Sequence, residues 1–385
     1  MTTRRSATDV LTARRGFTLI ELMITVLLSA IVIGGVYALY TVSVKGYRTQ
    51  DHAIEAQSNL RRALHQLRVD LRSAAFNAPA QSNEEPWVEV LGVNTAMVGV
   101  QIEPDPAVPV HEESTNANVA PQQITLLGAY DSQEVFRTVR IDDRRVVIEC
   151  CDDTWTAADF DRVFNTRNLA RLEFYGMAKT EQFIPIASVT AYNSSRPTQE
   201  FFLKESPRDV DKIGLGAGHD VSVLGFVRYR LQQDTRRNDE SAKYNLIRER
   251  VDPAGTPYDR TWLPVAEYVV DLQVYDLCFN EANPIGDSTL TNVVALQCYP
   301  TLAAAQAAGK DLGAGATNNS HQLRSVKVKV ATRAPFEDPN LPFAPRGSVD
   351  EPMRSFDVTT NIFGAARVFE GTATVFMTSI QARRP

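Results

Sequence analysis

The chain has 385 residues and a mass of 42.7 kDa, and it is 44% hydrophobic and 22% charged. That length accommodates two or three domain-sized units with a sizeable core. Its 40 basic and 46 acidic residues leave a formal charge of −6, which argues against a chain that holds nucleic acid on a basic stripe. A mean hydropathy of −0.21 excludes a polytopic membrane protein, and 20 Gly with 20 Pro exclude a collagen-like or grossly disordered one.

Residues 1–16 carry Arg4, Arg5, Arg14 and Arg15 against Asp9, a net of +3. The next segment, FTLIELMITVLLSAIVIGGVYALY at 17–40, contains a single charge, Glu21. A helix of that length runs about 36 Å, enough to cross a bilayer core of about 30 Å. The basic flank predicts a cytoplasmic N-terminus and a body on the far side. The apolar run is too long for a secretory signal peptide, and no small-residue cleavage site follows it. The break in composition falls ahead of the run, at Gly16-Phe17, so a cut there removes the leader and keeps the membrane helix. Glu21 is anomalous, because a carboxylate in an apolar span needs a partner or a role. One reading places it at the headgroup interface, and the other gives it a partner.

Gly16-Phe17-Thr18-Leu19-Ile20-Glu21-Leu22 resembles the processing motif of type IV prepilins. The resemblance implies cleavage by a prepilin peptidase between Gly16 and Phe17 and N-methylation of Phe17. It also implies that Glu21 meets the N-terminal amine of a neighbouring subunit during assembly. A buried carboxylate and a buried ammonium are each costly alone and tolerable together.

Beyond the span, Ala53, Ala56, Leu60, Leu64, Leu67, Leu71 and Ala74 form a heptad-like apolar stripe. Arg61, Arg62, Gln66, Arg68, Asp70 and Arg72 are expected on the wet face, and Pro79 supplies a stop. A helix from Phe17 to Phe76 is about 90 Å long if unbroken. Gly34-Gly35 is its weakest point, a place either to bend or to pack closely on another helix. Within this helix, Tyr47-Arg48-Thr49-Gln50-Asp51 and LRRALHQLRVDLRSAAF resemble minor pilins of the PilW type. The matching positions are Leu67, Asp70, Leu71, Arg72, Ala74, Ala75 and Phe76, with Ala75 where glycine is more usual. Tyr229 and Leu246-Ile247-Arg248 resemble that group's paired strands.

The predicted fold class is α+β, a long N-terminal helix packed on a large antiparallel β-rich body. The segments are a leader at 1–16, a membrane and assembly half-helix at 17–40, an amphipathic half at 41–76, and a body at 77–385 of one or two lobes. Period-two alternation predicts strands at 268–274, 325–330 and 356–362. Further candidates are 87–93, 98–103, 123–128, 135–141, 145–150, 170–175, 183–190, 221–231, 244–251 and 372–380. Long loops are expected at 104–122, 204–220 and 279–322, as contact surfaces or as merely mobile segments. Cys278 and Cys298 are the favoured disulfide, closing a 20-residue interval. Cys150 and Cys151 are adjacent and rarely bond each other, so one of them is an alternative partner for Cys278 or Cys298.

Catalytic signatures are missing from the sequence. GLGAG at 214–218 is followed by His219-Asp220 and a strand, not by the helix a phosphate loop needs. His111-Glu112-Glu113 is not a zinc-protease motif. Asp152, Asp153, Asp159 and Asp161 around Trp155 lack EF-hand spacing, and a solvated turn is expected there over a calcium site. There is no Gly-x-Ser-x-Gly elbow, so no cofactor, metal or enzymatic activity is expected.

The resemblance therefore implies a minor pilin of the type IV pilus. It would sit first in the inner membrane as a single-pass protein with its N-terminus in the cytoplasm, and later at the pilus tip. Implied partners are prepilin peptidase, other minor pilins, the major pilin and a PilY-type adhesin, with roles in priming assembly, adhesion and motility. A J-type pseudopilin of type II secretion is the alternative, and a membrane-anchored extracytoplasmic enzyme a remote one.

Overall fold

The structure, a computed structural model, describes residues 18–76, 99–107, 116–151, 154–174, 181–207, 217–234, 243–252, 255–258, 263–281, 295–313, 319–338, 341–358 and 364–377. The chain forms two compact units that divide between His52 and Ala53. Helix α1 (Leu19–Ser73) starts in the first unit and ends in the second.

In the first unit α1 runs unbroken through Gly34-Gly35, and its apolar side chains face outward, with Leu22, Ile31, Val32, Ile33 and Tyr37 all more than half accessible. This helix is long and apolar enough to cross a membrane. An apolar surface that continuous is stable in lipid or against other helices, not in water.

In the second unit the helix is amphipathic. Ala56, Leu60, Ala63, Leu67 and Leu71 are buried at spacings of three and four, while Arg61, Arg62, Arg68 and Arg72 are exposed. The body follows in chain order. First come β1 (Val100–Pro104), β2 (Gln122–Gly128), β3 (Phe136–Asp142), β4 (Arg145–Glu149), α2 (Ala157–Val163), β5 (Leu169–Glu173), β6 (Glu181–Val189), β7 (Thr198–Leu203) and β8 (Asp220–Gln233). Then come β9 (Tyr244–Val251), β10 (Leu263–Ala266), β11 (Val269–Glu281), β12 (Ala295–Thr301), α3 (Leu302–Ala307), β13 (Leu323–Arg333), β14 (Ser355–Phe356) and β15 (Ala366–Phe376). The α+β class is as the sequence implies, and among the described residues every strand pairing is antiparallel.

Two sheets organise the body. The smaller has the order β12-β11-β13-β15-β14. Val326, Val328 and Val330 of β13 are all buried, and Thr332 Oγ1 on the same face donates to Ala56 O of α1 at 3.0 Å. Gly371 of β15 has no side chain where a Cβ would stand 2.8 Å from Leu64 Cδ1 and 3.1 Å from Leu60 Cδ2, so the helix lies close on this strand.

The larger, ten-stranded sheet is organised by β8. Its first half, Asp220–Leu224, pairs with β5 and, at Asp220 and Val221, with β3. The circuit β8-β3-β4-β7-β6-β5 closes on itself as a six-stranded ring. Its second half, from Gly225 onward, pairs instead with β2 and β9, which carry β1 and β10 outward. Gly225 stands at the transition, where a Cβ would lie 3.2 Å from Asn168 Oδ1 and 3.3 Å from Asp131 Oδ2. Full closure removes the ring's sheet edges, and burial of Val221 through Val227 on both faces follows from β8 serving both the ring and the open part of the same sheet.

Several segments differ from the sequence expectation. Of the 356–362 alternation, residues 359–362 lie outside the described residues; Phe356 belongs to the two-residue β14, and Asp357 N and Val358 N donate to Asn116 Oδ1 and Glu337 Oε1 instead of to a strand. Within the expected loop 279–322 lie β12 and α3, the latter capped by Thr301 Oγ1 accepting from Ala304 N at 3.1 Å. Asn116 and Asn118, in the expected loop 104–122, bind backbone carbonyls of Asp357 and Arg346. Beneath them the fully buried pair Arg346–Asp271, at 2.8 Å, holds residues 341–358 over the second face of the smaller sheet. Predicted strand 87–93, the stop at Pro79 and His111-Glu112-Glu113 lie outside the described residues.

Candidate functional site

The expected cleavage pair, Gly16 and Phe17, lies outside the described residues, which begin at Thr18. Thr18 is the N-cap of α1. Its Oγ1 accepts from Glu21 N at 3.3 Å, while Glu21 Oε2 accepts from Thr18 N and Thr18 Oγ1, both at 3.0 Å. This is a capping box: Thr-x-x-Glu satisfies backbone donors that the first helical turn leaves open. It also places a carboxylate at the positive end of the helix dipole. These bonds use one carboxylate oxygen; Glu21 Oε1 has no partner among the described residues. Glu21 can therefore accept a further donor without giving up the cap. Thr18 and Glu21, at i and i+3, carry the capping signature in the sequence itself.

The second cluster fastens the last turns of α1. Asp70, expected on the wet face, is 5% exposed. Its Oδ2 accepts from Tyr229 Oη and from Arg248 Nε, both at 2.6 Å, and Oδ1 accepts from Gln66 Nε2 at 3.2 Å. Tyr130 Oη donates to Asp70 O at 3.0 Å. Tyr229 and Arg248 are register partners on β8 and β9, so the strand pair presents a hydroxyl and a guanidinium to one carboxylate. Burial first, and Asp70 second, push the Tyr229 and Tyr130 phenols well up, which keeps both as donors. Burial opposes the charge on Arg248, but Asp70 and Tyr229 together outweigh it and hold the guanidinium further in its charged form. The wet-face assignment failed because Asp70 lies on the same side as Leu67, Leu71 and Ala74, and its charge is matched inside the body.

The helix ends on a left-handed residue. Ala75 has φ 59° and donates its N–H to Leu127 O at 2.7 Å. That conformation favours glycine, which is the residue the PilW-type pattern usually carries there. Facing it is Gly99, where any Cβ would collide with the Ala75 side chain.

Cys278 and Cys298 face each other as register partners on β11 and β12 and form a disulfide. The structure pairs the vicinal Cys150 and Cys151 with each other, against the expectation that neighbours rarely bond. Asp152 and Asp153 lie outside the described residues, and Asp159 is not part of a solvated turn. It closes a second capping box, with Thr156, at the start of α2. Two hydrogen bonds from Thr156 hold its carboxyl below the usual range. No set of three or more His, Cys, Asp or Glu positioned for a metal occurs among the described residues. Of GLGAG only Gly218 is described apart from Ala217; β8 starts two residues later at Asp220, without a helix.

No curated protein and no solved structure matches the chain. Residues 11–37 match the family model of the prokaryotic N-terminal methylation motif, the type IV pilin-like prepilin signal. The motif covers the leader end, Gly16, Phe17, Glu21 and most of the apolar span, and it implies processing by prepilin peptidase and assembly with other pilins. The chain thus carries a prepilin signal joined to a helix that fits a single-pass membrane anchor, as in type IV pilin-like and pseudopilin proteins.

Proposed function

We propose that the protein is a minor pilin of the type IV pilus, most like the PilW type, that helps prime assembly and contributes to a tip complex presenting a PilY-type adhesin. It is inserted in the inner membrane with its N-terminus in the cytoplasm, cut between Gly16 and Phe17, methylated at Phe17, and then moved into the filament tip. Its role is structural rather than enzymatic, with no cofactor. The observation that carries the reading is the methylation motif at 11–37 leading into an outward-facing apolar helix. The unpartnered Glu21 Oε1 supports a subunit contact through the N-terminal amine of a neighbour. The large body, with a closed ring added to a helix-bearing sheet, favours a tip component over the generally smaller pseudopilins.

The test is to shear filaments from native cells and map this protein's N-terminus by mass spectrometry. A methylated Phe17 terminus at low stoichiometry in the pilus fraction is the expected result. The same terminus confined to membranes, with a secretion defect and intact pili in a deletion strain, assigns the protein to a type II pseudopilus. An intact Met1 or Thr2 terminus overturns both.

A further inference from the structure

The β-rich body holds a pocket that the filament role does not use. It measures about 480 Å³ and is lined by Arg162, Asn165, Thr166, Arg167, Arg250 and Tyr258. Among the described residues three guanidinium groups and no carboxylate line it, in a chain whose formal charge is −6. Arg162 is matched by Asp159 and Arg250 by Asp131, which leaves Arg167 as the uncompensated charge of the pocket among the described residues.

Two of the three arginines are held by buried groups. Arg250 pairs with Asp131, whose side chain is 2% exposed and whose Oδ2 accepts from Asn168 Nδ2 at 3.0 Å. Arg167 lies over the Tyr258 ring, 4.4 Å from its centroid, and Tyr258 is itself buried. The Arg167 guanidinium has no acceptor among the described residues, so its N–H donors remain available. Arg162, on the last turn of α2, is half-exposed and shared with Asp159 at 3.2 Å. A stacked guanidinium with free donors, beside a second one oriented by a buried carboxylate, is preorganised for a planar oxyanion. The remaining wall is the part of Tyr258 that Arg167 leaves uncovered and the arginine stems, which suit the C–H face of a ring rather than a fully polar chain.

We propose that this pocket binds the carboxylate of an acidic sugar, with Arg167 as the principal donor, Arg250 as the second, and the sugar ring against Tyr258 and the arginine stems. Asp131 and Tyr258 act as positioning residues. The site lies wholly within the second unit and needs no assembled filament.

The experiment titrates full-length protein in detergent micelles with oligogalacturonate, a neutral oligogalactose of equal length, and inorganic phosphate. Oligogalacturonate is expected to bind, more weakly as salt rises, and the neutral oligomer not to bind. Arg167→Gln should weaken binding at least about tenfold, the size of one lost charge-assisted hydrogen bond. Tyr258→Leu should weaken it too, while Arg68→Gln on α1 should leave it unchanged; thermal unfolding checks that each variant folds. Equal binding of acidic and neutral oligomers, undiminished binding by a folded Arg167→Gln protein, or no binding of oligogalacturonate overturns the proposal. Phosphate binding as tightly as oligogalacturonate assigns the pocket to a simple anion and overturns the sugar. Filament incorporation of Arg167→Gln should be normal, which separates this test from that of the pilin role.

Discussion

Asp70→Ala removes the acceptor shared by Tyr229 Oη and Arg248 Nε, each 2.6 Å away, in a site where Asp70 is 5% and Tyr229 0% exposed. Breaking a buried ion pair from one side costs about 3–5 kcal/mol, because the remaining charge is left uncompensated. The Arg248 side chain keeps 17% exposure, so water reaches it, and a loss at the lower end, about 3 kcal/mol, is expected. Asp70→Asn retains an acceptor but loses the charge assistance, and should cost about 1.5–3 kcal/mol. The triple change Asp70→Leu, Tyr229→Phe, Arg248→Met removes the carboxylate together with both strand partners, leaves only the half-buried Gln66 amide to turn to water, and should stay within about 1 kcal/mol of the native protein, since apolar replacements of buried pairs are often neutral. Urea unfolding of the full-length protein in detergent, followed by tryptophan fluorescence, measures all three. An Asp70→Ala protein within about 1 kcal/mol of native, or a triple variant as unstable as the single one, would refute the reasoning that this pair is what holds the helix end to β8 and β9.

Four further outcomes are expected. Glu21→Ala should still be cut after Gly16 yet be missing from sheared filaments, as read by mass spectrometry of membrane and pilus fractions; normal incorporation counts against the subunit contact. Replacing both Cys278 and Cys298 by serine should cost about 3 kcal/mol for a 20-residue interval and remove most of the reductant sensitivity of the melting temperature, since the vicinal Cys150–Cys151 pair closes almost no loop. Gly371→Val should cost about 1–3 kcal/mol by overpacking against Leu64 and Leu60, and adding Leu64→Ala should recover part of the loss in the same urea assay. Burial raises the Asp105 carboxyl above its ordinary value, although Leu231 N and Ala107 N donate to it. The folded state therefore holds a proton that the unfolded state releases, and this residue's contribution to stability falls as pH rises through the interval above about 4. Urea midpoints from pH 4 to 7 should move in favour of Asp105→Asn relative to the native protein as pH rises; a constant difference counts against the shift.

The motif, the span and the amphipathic stripe were legible without coordinates because they depend on local order: a glycine before an apolar run, one acid at its start, and spacings of three and four. The strands with clean alternation were legible for the same reason, and β13 shows it, with Val326, Val328 and Val330 on one buried face. Short elements held by distant partners were not. β7 and β12 exist through their neighbours, the latter also through Cys298, and α2 hid inside an acidic run because a capping aspartate resembles a solvated one in sequence. Asp70 is the sharpest case. Chain spacing alone puts it beside Leu67 and Leu71, and charge alone puts it in water. Only the arrival of Tyr229 and Arg248, 159 and 178 residues away, decides that the carboxylate is buried. The arginine pocket arises likewise from α2, β9 and residues 255–258, which have no shared pattern along the chain. Local periodicity and composition thus determine which segments become helix, span and strand; closure of the ring, the Asp70 cluster and the pocket depend on long-range pairing, which no local spacing encodes.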